Sequence, residues 1–179
     1  MTRNHMGRLI GAGFGLVFIE ANAGALPTGV GIPLRVLGVA AFLGLVLFGR
    51  RGAEAVAEQS AGPAFGGRYW LVVVAEVIGI VAGLAVINRV LHTPEATVGW
   101  IAFVVGVHFF GLAVAWRRPS LHKLGAGMAA CGALGLALAF GGAPAAVVAL
   151  VAGIAPGLLL LGSVWWSGRA AGGAPGRAG

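Results

Sequence analysis

The sequence predicts an all-α fold, a polytopic membrane helix bundle of six transmembrane helices with both termini cytoplasmic. Three observations carry that expectation. Hydrophobic residues make up 59% of the chain and charged residues only 9%. They gather in runs long enough to cross a hydrocarbon core of about 30 Å, which takes about 20 helical residues. Proline- and glycine-bearing breaks divide these runs, and the basic residues cluster beside one set of run ends.

The spans read as 8–26, 32–49, 69–91, 96–116, 122–140 and 145–166. Pro27, Gly29, Gly31 and Pro33 separate the first two, and Thr93-Pro94 separates the third from the fourth. Pro119 lies before the fifth, and Gly141-Gly142-Ala143-Pro144 before the sixth. The first run passes directly into the second, which marks a retained span and not a cleaved signal peptide. The one sizeable polar connection runs from Arg51 to Arg68 through Glu54, Glu58, Gln59 and Gly62-Pro63. Residues 1–166 thus form one six-helix domain, and the Gly- and Ala-rich stretch 167–179 is expected to be a disordered cytoplasmic tail.

Charge placement sets the orientation. Ten basic residues (Arg3, Arg8, Arg50, Arg51, Arg68, Arg117, Arg118, Lys123, Arg169 and Arg177) fall on the face that holds both termini, and only Arg35 and Arg89 fall on the other. That asymmetry places both ends inside. The net charge of +7 is therefore a topology signal, and nucleic acid is not an expected partner. Trp100 belongs to the outer interface, while Tyr69, Trp70, Trp116, Trp165 and Trp166 form an inner aromatic belt. The Arg-over-Lys and Ala/Gly bias suits a GC-rich bacterial coding sequence, hence a bacterial cytoplasmic membrane.

The spans also suggest three copies of one helical hairpin, each opening with a base (Arg8, Arg68, Lys123). Ala41-Phe42-Leu43-Gly44-Leu45 aligns with His108-Phe109-Phe110-Gly111-Leu112, and Ile10-Gly11-Ala12-Gly13 with Leu124-Gly125-Ala126-Gly127. Small residues every fourth position (Gly7, Gly11, Gly15; Gly79, Gly83; Gly153, Gly157) would let helix backbones approach in lipid. Pro156 should bend the sixth span by freeing a backbone carbonyl.

Against this background Glu76 and His108 stand out, because an ionisable side chain at bilayer depth costs several kcal/mol (about 3 on insertion scales) unless it is paired or faces a cavity. Glu76 is eight residues past Arg68, roughly 12 Å along a helix, and His108 is nine before Arg117, roughly 13 Å from the same face. A short turn at Thr93-Pro94 makes their helices antiparallel neighbours, so the two should meet. A carboxyl beside an imidazole can pass a proton or bind a polar group; it can also be a plain packing clamp. Glu20 lies roughly 18 Å past Arg8, with Asn22 following. Glu20 either completes a cavity with Glu76 and His108 or is solvated at a wide outer mouth, and the sequence leaves both open. Arg89 should snorkel to the interface.

The remaining candidates carry less. His5, His92 and His122 fall in predicted tails or loops. There is no Asp and no histidine pair at helical spacing, so zinc and haem sites are not expected, and no cofactor or metal is assigned. No P-loop or nucleophile elbow occurs, and Ser163 has no acid or base near it in sequence. Cys131, alone in an apolar run, reads as a small core residue. The segment Gly106-Val107-His108-Phe109-Phe110, ending a span before Arg117-Arg118, resembles a signature of uncharacterised bacterial six-span membrane proteins of about this length. The match covers mainly spans three and four. It implies the six-span fold and a role for His108, and brings no activity with it.

Three functional classes fit. The first is a small proton-linked transporter or permease, with Glu76 and His108 binding protons or a polar solute and a second copy of the chain supplying a missing wall. The second is an intramembrane enzyme acting on an isoprenoid- or quinone-like substrate by acid/base chemistry, in the manner of a membrane terpene cyclase, with Phe103, Phe109 and Phe110 as pocket walls. A scaffold or accessory subunit is the third. The expected partners are thus the lipid bilayer, a small or lipophilic substrate and a homodimeric copy.

Overall fold

An apolar chain can leave water only if its backbone hydrogen bonds are closed within the segment, and each apolar run accordingly folds as one helical rod. The computed structural model describes residues 3–53 and 66–172. The helices are α1 (Arg3–Asn22), α2 (Thr28–Ala53), α3 (Gly67–Arg89), α4 (Thr97–Trp116) and α5 (Ser120–Phe140). A last rod follows, built from α6 (Ala145–Val148), a π-helical stretch (Ala149–Ile154) and α7 (Ala155–Gly172). Single 3-10 turns at Ala23–Ala25 and Pro94–Ala96 tighten two of the connections. There is no strand among the described residues. The polar connection carrying Glu54, Glu58, Gln59 and Gly62-Pro63 lies outside them.

Five rods (α2, α3, α4 with its 3-10 turn, α5 and the last) are long and apolar enough to cross a membrane. α1 is not among them, since its 20 residues include Arg3, Asn4, His5, Arg8, Glu20 and Asn22. It is instead a packed element, with Ala12, Phe18 and Ile19 buried. A helix covered in part by protein tolerates polar residues that a lipid-coated one does not.

Several boundaries differ from the sequence expectation for local reasons. The turn between α1 and α2 ends at Pro27, and Pro33 lies inside α2. Gly31 makes this possible: its backbone sits against the Ala23 carbonyl, where any side chain would collide. In the last rod the helix widens to π just before Pro156. Proline offers no N–H to the carbonyl four residues back and its ring crowds that carbonyl, so a wider turn accommodates it. Gly153, within that turn, receives the Asn22 side chain. α7 continues to Gly172, so the first residues of the supposed tail, 167–172, are helical, and the rest of that tail lies outside the described residues.

The packing order is α3, α4, α5, last rod, α1, α2, with α4 and α5 in the most intimate contact. Gly106 faces the Ala129 backbone, Gly132 faces Phe103 and Gly99 faces Gly135–Leu136. Three buried apolar groups hold the whole: Ala12–Ile19–Ile154–Leu161 between α1 and the last rod, Phe18–Ala102–Met128–Leu160 at the centre, and Ile87–Ala96–Ala139–Val148 at one end. α2 and α3 stand at opposite ends of the order and share no extensive contact among the described residues. The closest packing thus crosses the boundary between the second and third expected hairpins. The positions aligned as repeats meet different partners: Gly44 lies on Trp165 but Gly111 on Val72.

This packing makes a sharp prediction. A Cβ at Gly106 would land on the Ala129 main chain, which cannot give way as a side-chain tip can. Gly106→Ala should cost about 3 kcal/mol, at the high end for overpacking. Gly162→Ala, where nothing lies within 4 Å, should be neutral or gain a fraction of a kcal/mol (about 0.5) in helix propensity. Unfolding titrations in mixed detergent micelles separate the two, and equal stabilities would contradict the close α4–α5 approach.

Candidate functional site

α3 and α4 run antiparallel, and their side chains meet in steps along the seam. Tyr69 stacks on Trp116 with ring centroids 5.9 Å apart, and Val72 faces Gly111. Glu76 meets His108, Gly79 faces Val104, Gly83 holds Trp100, and Asn88 reaches Thr97 at 3.4 Å. The reason is local: the Pro94–Ala96 turn reverses the chain within a few residues, and steps of three to five residues keep one face of each helix against the other.

Midway along this seam Glu76 Oε2 stands 3.1 Å from His108 Nδ1, the side chains 19% and 11% exposed. The contact is of ion-pair length, but Nδ1 is buried and makes no aligned hydrogen bond. The Val72 backbone, one turn before Glu76, also lies within hydrogen-bonding reach of the imidazole. Phe109 presents its ring edge-on to His108 at 5.9 Å. A carboxyl and an imidazole in contact, in surroundings otherwise made of Val, Gly and Phe, can exchange a proton or hold one small charged group. Among the described residues no three His, Cys, Asp or Glu side chains gather as a metal ion would need.

The other predicted participants do not join the pair. Glu20 lies on α1 and pairs with Arg35 of α2, Oε2 to Nε at 3.7 Å, and Arg35 also donates to the Glu20 carbonyl at 3.2 Å. Its Oε1 is buried without a hydrogen-bond partner. Asn22 donates to the Phe18 carbonyl at 2.8 Å and packs on Gly153. Both are therefore part of the α1–α2–last-rod contact, and the supposed shared cavity of Glu20 with Glu76 and His108 is not formed. The supposed aromatic pocket disperses too. The Phe103 ring lies 6.0 Å from that of Trp100, Phe109 packs with the central cluster, and Phe110 lies 5.8 Å from His122. His122 itself is in the first turn of α5 and not in a loop, whereas His92 is in the turn after α3 with a positive φ of 52°.

Two features of the site were not anticipated. Trp100 does not merely mark an interface: its indole fills the space beside Gly83 and donates to the Gly79 carbonyl at 3.0 Å. Gly83 thus makes room for an aromatic ring and Gly79 faces the Val104 side chain, so neither admits a second backbone. The Glu20–Arg35 pair had a usable signal, since the two residues lie seven before and eight after Pro27 and so face each other across the turn.

No family model matches the chain, nor does any curated protein or solved structure.

Proposed function

We propose that the protein is a six-span integral membrane protein with both termini on the cytoplasmic face, and that it is a small proton-linked transporter whose site is the Glu76–His108 pair. The observation that carries this is the 3.1 Å approach of a carboxylate to an imidazole inside two helices apolar enough to span a bilayer. An intramembrane acid that is retained against its desolvation cost, with its partner in contact, is the usual mark of proton handling.

The surroundings support the same assignment. α3 joins the bundle almost wholly through α4 and its 3-10 lead-in, so the pair sits where one helix can part from another without disturbing the core. The Tyr69–Trp70–Trp116 cluster lies at the end of the seam that the excess of arginines assigns to the cytoplasm. α1, less apolar than the rest, crosses as a partly protein-covered sixth span. The enzyme alternative has less support, because the rings of Phe103, Phe109 and Phe110 lie against different partners: Trp100, the central cluster and His122.

The test is proton movement across sealed vesicles. Vesicles holding the wild-type protein should dissipate an imposed pH gradient faster than protein-free vesicles, read with an entrapped pH-sensitive dye. Equal rates would overturn the proposal.

A further inference from the structure

We infer that the species exchanged for the proton at Glu76 is a lipophilic cation that reaches the pair from the bilayer; this rests on the proton-linked transport proposed above. The route follows from what surrounds the pair. α4 stands between α3 and the rest of the bundle, and on its far side it is closed against α5, Gly106 on Ala129 and Gly132 on Phe103. Backbone meets backbone there, with no gap at Gly106 or Gly132. Val77 and Val107, the sequence neighbours of Glu76 and His108, are 54% and 48% exposed, and the Glu76 side chain itself keeps 19% exposure. The exposed residues beside the pair are valines, so a species that reaches it from the bilayer must be soluble in hydrocarbon.

The sign of its charge follows from Glu76, the single acid within α3 and α4. Aromatic rings bracket the carboxylate along the same seam. Trp100 lies eight residues from His108, roughly 12 Å towards one end, and Tyr69 with Trp116 lies seven from Glu76, roughly 10 Å towards the other. These rings extend the apolar surface along the seam. One carboxylate carries one negative charge, so it holds a proton or a monovalent cation and never both. Arrival of the cation releases the proton and reprotonation expels the cation; with no cation present the emptied pair still returns and carries protons alone.

Tetraphenylphosphonium, a monovalent cation coated in apolar rings, is the probe. Binding to the purified full-length protein in detergent, measured by equilibrium dialysis, should tighten as pH rises and should release a proton to weakly buffered medium. Glu76→Gln should weaken it about 10- to 100-fold, the loss of a charge-assisted contact. Glu76→Asp, which keeps the charge, should retain binding and guards against misfolding. Choline, a hydrophilic cation, should bind far more weakly. Equal binding of tetraphenylphosphonium by wild type and Glu76→Gln, no binding at all, or equal binding of choline would each overturn the inference. If Glu76-dependent loss of a pH gradient persists in vesicles under those outcomes, proton movement stands and only the cation falls. If the gradient loss is also independent of Glu76, both fall.

Discussion

Glu76→Gln is expected to slow proton movement through the protein by about 100-fold or more, the scale on which a positioned acid or base acts, while leaving the fold intact. The substitution is chosen because it divides the two roles that a buried acid–histidine contact can play. Glutamine has the volume of glutamate and can keep the same contact with the imidazole across the 3.1 Å gap. A pair that only clamps α3 to α4 would therefore survive it almost unchanged. A pair that loads and releases a proton cannot, because the amide has no proton to give in this range. Thermal unfolding in detergent follows stability alongside the vesicle measurement. Unchanged stability with lost proton movement establishes the carboxyl as the working group. Unchanged proton movement establishes the clamp.

How far the sequence could reach depended on whether the controlling interaction was local. The Glu76–His108 contact was legible because two things set it: helix rise, which fixes depth, and a short turn at Thr93-Pro94, which fixes register. The same arithmetic failed for Glu20. Depth alone did not say which helix lay beside it, and its partner Arg35 had been counted as a topology charge and not as a neighbour. Glycine spacing was legible as close approach but not as to what approaches. At Gly106 and Gly132 it is backbone, while at Gly79 it is the Val104 side chain and at Gly83 the Trp100 indole. The widened turn before Pro156 had a visible cause and an unreadable form, since a kink and a π-helical turn relieve the same clash. Glycine and alanine in residues 167–172 suggested loss of order, yet the helix carries on through them.

The two seams flanking α4 differ in kind, and that difference tells which can move. On the α5 side, glycine backbones interlock, and a small sliding displacement would drive Cα atoms into one another. On the α3 side, contact is made by side-chain tips: a stacked tyrosine, a valine, a carboxylate, an indole. Side chains can re-seat by changing rotamer where backbones cannot. α4, α5, the last rod and α1 thus form the fixed body, and α3 is the element free to shift.

Tying α3 to α4 should therefore stop transport without touching the charged pair. An ideal Cβ at Gly111 would lie 3.5 Å from the Val72 Cβ, at the short end of the roughly 3.5–4.5 Å that a disulfide spans. Val72→Cys with Gly111→Cys also removes the valine methyls that the new Cβ would meet. The native Cys131, half-buried and free, is first replaced by alanine so that the introduced thiols have no competitor. In the reduced state the double variant should move protons at close to the wild-type rate. Oxidation should form the bridge one turn from Glu76, reduce proton movement to that of protein-free vesicles, and allow full recovery with dithiothreitol. Complete cross-linking with undiminished proton movement would mean that α3 never leaves α4 during the cycle. Access to the pair would then have to come from rotation of side chains within a fixed seam, with Trp100 and Val104 as the groups that turn aside.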